Sequence, residues 1–206
     1  MDFVQLDMFA KVLDVLATFV FALVGARVAA DRGLDYGGIT FIAAVASTTG
    51  GTLRNVSLGI RPSWLTNPWI LSGIVVSVLV TIIFRTTKPI GKFLLAVDTL
   101  GLAVAAISGA QIAIAYKAPW YAAIVLGVIT AVAGGLLRDL LCQVKPVVLH
   151  RETLATSALV GTATYVALTH TSLHATVAVV LGGLTVMAVR TISIYFDLNL
   201  PKLKQS

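Results

Sequence analysis

Apolar residues dominate seven stretches of the chain, at about 12–30, 38–57, 68–84, 93–115, 120–142, 154–169 and 173–196. Each is too long for a barrel strand, and none alternates in polarity with the period of two that such a strand needs. Backbone donors and acceptors in lipid must be satisfied within their own segment, so the pattern predicts helices. A spanning helix takes roughly 20 apolar residues, and 206 residues hold seven with short connections and no separate soluble domain. The breaks are chemically marked: Arg32-Gly33-Leu34-Asp35, Arg61-Pro62-Ser63, Lys88-Pro89, Lys117-Ala118-Pro119, Lys145-Pro146 and His170-Thr171-Ser172. Proline at a break removes a backbone donor that no helix needs there. The first stretch has the look of a cleavable leader, since Lys11 precedes an apolar run ending in small residues.

Composition agrees with the pattern. The chain is 58% hydrophobic and only 12% charged, where a soluble domain carries about a quarter charged residues. The formal net charge of +6 raises nucleic acid as a partner, but its distribution excludes that reading. With seven spans, Arg27, Arg32, Arg85, Lys88, Lys92, Arg138, Lys145, Arg151, Arg190, Lys202 and Lys204 fall on one side, eleven of the fifteen basic residues. Lys11, Arg54, Arg61 and Lys117 fall on the other. Positive charge is retained on the cytoplasmic side, which predicts an outside N-terminus and a cytoplasmic C-terminus.

Sliding the chain against itself by 84 residues aligns Asp14–Pro62 with Asp98–Pro146 without a gap, and twelve of the 49 pairs are identical. They include Asp14/Asp98, Gly25/Gly109, Gly50/Gly134, Gly51/Gly135, Arg54/Arg138 and Pro62/Pro146. Recurring Leu, Val and Ala are expected between any two apolar helices; Asp, Gly-Gly, Arg and Pro in order are not. This recurrence mid-chain also argues against the leader reading. Each copy holds an odd number of spans, so the second crosses in the opposite sense. The expected architecture is an all-α membrane domain over residues 1–206: repeat 1 at about 8–85, an inverted repeat 2 at about 92–169, and a seventh helix at about 173–196.

Inverted repeats place their chemistry at the interface of the halves, commonly on interrupted helices. The second and fifth spans carry Ser47-Thr48-Thr49-Gly50-Gly51-Thr52-Leu53-Arg54-Asn55 and Ala133-Gly134-Gly135-Leu136-Leu137-Arg138-Asp139. The glycine pairs are expected to break their helices and expose carbonyl oxygens. Ser47, Thr48 and Thr49 are candidate pore-lining hydroxyls. Arg54 and Arg138 are costly in a bilayer and call for partners; the inversion offers Asp14 to Arg54 and Asp98 to Arg138. Gly25, Gly109, Gly182 and Gly183 suit close helix packing. Trp64, Trp69, Trp120 and Tyr121 fit an interfacial belt, and Cys142 fits a packed core position. His170 and His174 lack a third ligand, so no metal is expected. No catalytic or cofactor-binding motif appears, so neither an enzyme nor a cofactor is expected.

At the duplicated Gly-Gly-x-Leu-Arg-Asn/Asp motif the chain resembles the prokaryotic trimeric intracellular cation (TRIC) channel family, and the related bacterial duplicated three-helix proteins described as glycine-transporter-like. The resemblance implies a potassium-permeable homotrimer in a prokaryotic plasma membrane. It also implies a pore within each protomer, passing kinked second and fifth helices at Gly50, Gly51, Gly134 and Gly135. Arg54, Arg138, Asp14, Asp98, Asn55 and Asp139 become the charged pore or gate residues. The chain departs from the family pattern in two ways: Thr49 and Ala133 stand where a third glycine is usual, and Asn55 replaces an acidic residue that Asp139 keeps. Expected partners are monovalent cations and membrane lipids, with no nucleic acid. The alternative reading is a secondary transporter for a small zwitterion such as an amino acid, with an arginine holding the substrate carboxylate.

Overall fold

The computed structural model describes residues 3–84, 91–144, 153–171 and 173–196, with side chains described from Ala10 onward except at positions 92, 93 and 153. Pro146, the breaks at Lys88-Pro89 and Lys145-Pro146, and the basic residues Arg85, Arg151, Lys202 and Lys204 lie outside the described residues. The described chain is helical: α1 (Phe3–Asp31), α2 (Tyr36–Ser57), α3 (Ser63–Thr66), α4 (Pro68–Ile83), α5 (Gly91–Ala115), α6 (Trp120–Leu141), α7 (Thr153–Thr169) and α8 (Ala175–Tyr195). Every apolar stretch of the sequence lies on a helix, and α3 is a short addition after Pro62. Four helices are long and apolar enough to cross a membrane, namely α1, α5, α6 and α8; α4 and α7 are shorter apolar helices. The 22-residue α2 falls short in hydropathy because Ser47, Thr48, Thr49 and Thr52 interrupt its apolar run.

The packing follows the repeat. Helix α1 packs on α2 and α4 as α5 packs on α6 and α7, and the halves meet where α1 crosses α5 and α2 crosses α6. Helix α8 has no counterpart and lies against α7 and α5. One buried apolar cluster is centred on α5, α6 and α7, from Leu102 and Ile107 to Tyr165 and Val186. A smaller one joins α1, α2 and α4 through Ala26, Ile42 and Ile74, and takes in Cys142 as a core position.

The helix ends repeat as well. Gly33 and Gly59 adopt left-handed backbone at φ of 76° and 69°, and Lys117 and Gln143 do so at 60° and 52°. Each member of the second pair lies 84 residues beyond its counterpart. All four close a Schellman motif; the amide of Leu34 bonds the Ala29 carbonyl at 3.2 Å, as that of Ala118 bonds the Ala113 carbonyl at 3.0 Å. Glycine meets this backbone requirement without a steric penalty in the first half only.

The crossing of α2 and α6 corrects one expectation. Both helices run unbroken through their glycine pairs. What the glycines provide instead is proximity: a Cβ on Gly50 would overlap the carbonyl oxygen of Thr130, and a Cβ on Gly134 would overlap that of Ala46. Ala46 and Thr130 are themselves repeat mates, so this is one contact seen from both sides of a two-fold axis. Small residues let the two backbones touch, and the hydrogen-bond ladder stays intact. Gly25, Gly109 and Gly182 also sit against neighbouring helices, whereas Gly183 faces open space.

Candidate functional site

Each half builds a charge cluster where its second helix ends against its first. Arg54, in the last turn of α2, is wholly buried. Its Nη1 and Nη2 donate to Asp14 Oδ1 and Oδ2 at 2.9 and 3.1 Å, and its Nε donates to Asn55 Oδ1 at 2.8 Å. Bidentate, charge-assisted contact of this kind is the strongest a guanidinium makes. Asn55 also donates from Nδ2 to the Arg61 carbonyl at 2.9 Å and to Ser63 Oγ at 3.1 Å, which ties the loop before α3 to the cluster. A carboxylate could not make those donations.

The second cluster repeats the first with a difference. Arg138 donates from Nη1 to Asp98 Oδ1 at 3.0 Å and from Nε to Asp139 Oδ1 at 2.8 Å. Asp139 therefore takes the place of Asn55 on the guanidinium. The other oxygen of Asp98 is occupied by Arg190 of α8, whose Nη2 donates at 3.2 Å, while its Nε donates to Thr99 Oγ1 at 3.1 Å. Arg190 is 1% exposed. Sequence reasoning counted it only as a side-specific charge, because it stands outside the repeat and no spacing rule links it to residues 92 positions away. Among the described side chains, each cluster balances: Asp14 against Arg54, and Asp98 with Asp139 against Arg138 with Arg190.

Cavities adjoin both clusters. A vestibule of about 420 Å³ ends on Asp14, Arg54 and Asn55, with Lys11 and Arg61 on its walls. Beyond that pair lies a cavity of about 20 Å³ lined by Thr18, Ser47, Thr48, Thr52 and Thr130, enough for a single water. A third, of about 10 Å³, is lined by Leu102, Ala131, Leu154, Asp98 and Arg138. Leu102, Ala131 and Leu154 are the repeat mates of Thr18, Ser47 and Ile70, so the two small cavities occupy matching places in the halves. Phe21 lines both.

Four hydroxyls of the first cavity share a property the sequence does not reveal. Thr18 donates to the Asp14 carbonyl at 2.8 Å, Ser47 to Ala43 at 2.7 Å, Thr48 to Ala44 at 2.7 Å and Thr130 to Leu126 at 2.6 Å. Thr52 accepts from Trp64 Nε1 at 3.2 Å. A hydroxyl whose proton is given to its own helix has only lone pairs left to offer. Thr49 bonds Val45 at 2.6 Å and lies off this cavity. His174 caps α8, its Nδ1 accepting from the Thr176 amide at 3.4 Å.

Fold and site together define a multi-pass α-helical membrane protein of duplicated, two-fold-related design. The chain belongs to the family described as glycine transporter, whose model matches residues 11–86 and again 95–171, once per half. It is 31% identical to the inner membrane protein YadS (UPF0126) of Escherichia coli, covering 92% of this chain and 93% of the relative. It is 30% identical to a UPF0126 membrane protein of Vibrio cholerae, covering 92% and 80%. These relatives and the apolar helices place it among prokaryotic inner-membrane proteins. Among solved structures it is similar to the TRIC trimeric intracellular cation channel orthologue of Rhodobacter sphaeroides, with a TM-score of 0.85, 33% identity and coverage of 92% and 99%. A prokaryotic TRIC channel in 0.5 M KCl matches with a TM-score of 0.81 at 27% identity, covering 94% and 99%. The TRIC resemblance read from the duplicated motif thus extends over nearly the whole fold.

Proposed function

We propose that the protein is a potassium-permeable, monovalent-cation channel, with a pore inside each protomer between the two repeats and three protomers in the assembly. Its seven long helices cross the membrane with the N-terminus outside, so the vestibule at Arg54 opens outward and the Asp98 cluster faces the cytoplasm. The observation that carries this reading is the set of four hydroxyls, those of Thr18, Ser47, Thr48 and Thr130, that line one cavity beside Asp14 with their protons turned back to the helix. Lone pairs facing a narrow path replace part of a cation's hydration shell and offer nothing to an anion. The buried arginines do not oppose it, because carboxylates within 3.2 Å neutralise them. Lys11 and Arg61 are exposed, where salt screens them within a Debye length of about 10 Å. The solved structures to which the chain is similar are of cation channels rather than enzymes.

The family description raises glycine transport as the second reading. A substrate carboxylate would need a free guanidinium face, and Arg54 already spends Nη1, Nη2 and Nε on Asp14 and Asn55. The test is current from purified protein in a planar bilayer under a potassium chloride gradient. Unitary steps reversing toward the potassium potential are expected. Reversal toward chloride overturns cation selectivity. Saturable uptake of labelled glycine by folded protein that gives no unitary events establishes the transporter instead.

A further inference from the structure

We propose that the segment from Ile60 to Thr66, with the short helix α3 inside it, is an outer gate: a strap that closes the hydroxyl-lined cavity against the vestibule and is latched by Asn55 and Trp64. The inference rests on the channel reading above for the role of that cavity, and adds to it the part that moves. The vestibule and the hydroxyl-lined cavity adjoin, because Asp14 and Ser63 line both. Two elements stand at this boundary. One is the enclosed pair of Asp14 and Arg54, joined by hydrogen bonds of 2.9 and 3.1 Å. The other is the strap, which gives Ile60, Arg61, Ser63 and Thr66 to the vestibule and Ser63 and Trp64 to the cavity. Helix α3 has no buried residue, so apolar packing does not hold it. Side-chain hydrogen bonds do. Asn55 Nδ2 donates to the Arg61 carbonyl at 2.9 Å and to Ser63 Oγ at 3.1 Å, and Trp64 Nε1 donates to Thr52 Oγ1 at 3.2 Å. Water replaces bonds of this kind at small net cost, whereas nothing replaces the backbone contact of α2 with α6. Both ends of the strap are fixed. Gly59 turns the chain at a φ of 69° and the Ile60 amide returns to the Asn55 carbonyl at 2.9 Å, while Asn67 caps α4 by accepting from the Trp69 amide at 3.1 Å. A segment released between two such ends swings out as a lid and settles back in one place. Trp64 serves as both bulk and bolt: its indole walls a cavity of about 20 Å³, and its N–H occupies the Thr52 oxygen that also faces that cavity. Opening therefore returns a lone pair to the cavity wall. Asn55 makes its part of the latch with an amide; Asp139, its repeat mate, has no amide proton to give.

The experiment measures how fast a thiol placed in the cavity reacts with a small cationic reagent, methanethiosulfonate ethylammonium, in the full chain held in lipid nanodiscs. Ser47→Cys supplies the thiol, since Ser47 is buried and lines the cavity. The natural Cys142, buried in the core, is the internal control. Two latch variants are added separately. Trp64→Phe keeps the ring and removes the donor; Asn55→Asp keeps the oxygen that Arg54 Nε meets and removes both donations. Each should speed labelling at Ser47→Cys roughly fivefold, the change in an opening equilibrium from losing one hydrogen bond of ordinary net strength. Thr52→Val should match Trp64→Phe, and the two together should do no more than either, because they break the same bond. Labelling of Cys142 should stay slow throughout. Unchanged labelling at Ser47→Cys in both latch variants overturns the proposal. So does labelling of Cys142 that rises in step, which marks a loosened fold and not an opened lid. In planar bilayers Trp64→Phe should raise open probability and leave unitary conductance as it was. Faster labelling with no current in any variant keeps the strap and ends the channel reading; altered current with unchanged labelling overturns the strap.

Discussion

Arg54 is wholly enclosed, and its charge is tolerable there only because Asp14 presents two oxygens to it. Replacing Asp14 by Asn strands a buried guanidinium, and loss of one partner from such a pair costs about 3–5 kcal/mol. Thermal unfolding of Asp14→Asn in detergent should show that loss, and Arg54→Gln on the same background should recover part of it. A different residue-scale effect sits at the helix ends. Lys117 and Gln143 hold left-handed backbone that their counterparts Gly33 and Gly59 adopt freely, at a cost of about 1–2 kcal/mol for a residue with a side chain. Lys117→Gly and Gln143→Gly should each raise stability by about 1 kcal/mol, while Gly33→Ala and Gly59→Ala should lower it. The Asp–Arg partners were legible in the sequence because both residue types recur at one offset and are costly in a membrane. The place of Arg190 was not, since only the packing of α8 on α5 brings it to Asp98. Nor could the sequence say which way the hydroxyl protons of Thr18, Ser47 and Thr48 turn, because that is a matter of rotamer.

At the scale of elements, α2 and α6 show why a glycine pair is an ambiguous signal. Gly-Gly in an apolar helix marks a break or a close crossing with the same letters; what stands opposite decides, and here it is a carbonyl some 80 residues away in sequence. Only the first glycine of each pair faces that crossing. Gly51 and Gly135 look toward the arginines of their own helices, Arg54 and Arg138, each 3.7 Å from where a Cβ would be. Gly50→Ala and Gly134→Ala should therefore push the helices apart and destabilise the protein by about 1–3 kcal/mol or more. Gly51→Ala and Gly135→Ala should be neutral or slightly stabilising, since alanine is the better helix former. Equal damage from both members of a pair, read by thermal unfolding, would return the case to a helix that must unwind. The element boundaries themselves were well marked, because Pro62, Pro119 and the Gly33 and Gly59 turns interrupt otherwise continuous apolar runs.

For the whole molecule, the duplication was the most legible feature, and the two-fold contact of Gly50 with Thr130 and Gly134 with Ala46 is its physical expression. What self-alignment treats as noise, the mismatched pairs, is where the halves differ in chemistry. Thr18, Ser47, Thr48 and Thr52 stand opposite Leu102, Ala131, Val132 and Leu136. Hydroxyl lone pairs hold water where alkyl groups in the same place do not, and narrow apolar segments hinder ions by drying. On the channel reading, alkyl groups in the second half of the path stand where the first half has hydroxyls, next to the charges of Asp98, Arg138 and Asp139, and Phe21 lines both cavities. In such a channel an ion entering from the vestibule would meet the apolar stretch late, and one entering from the other side would meet it early. Such a barrier makes a diode: current–voltage curves in symmetrical potassium chloride should bend, and Leu102→Thr with Ala131→Ser, which copies the hydroxyls of the first half into the second, should straighten them.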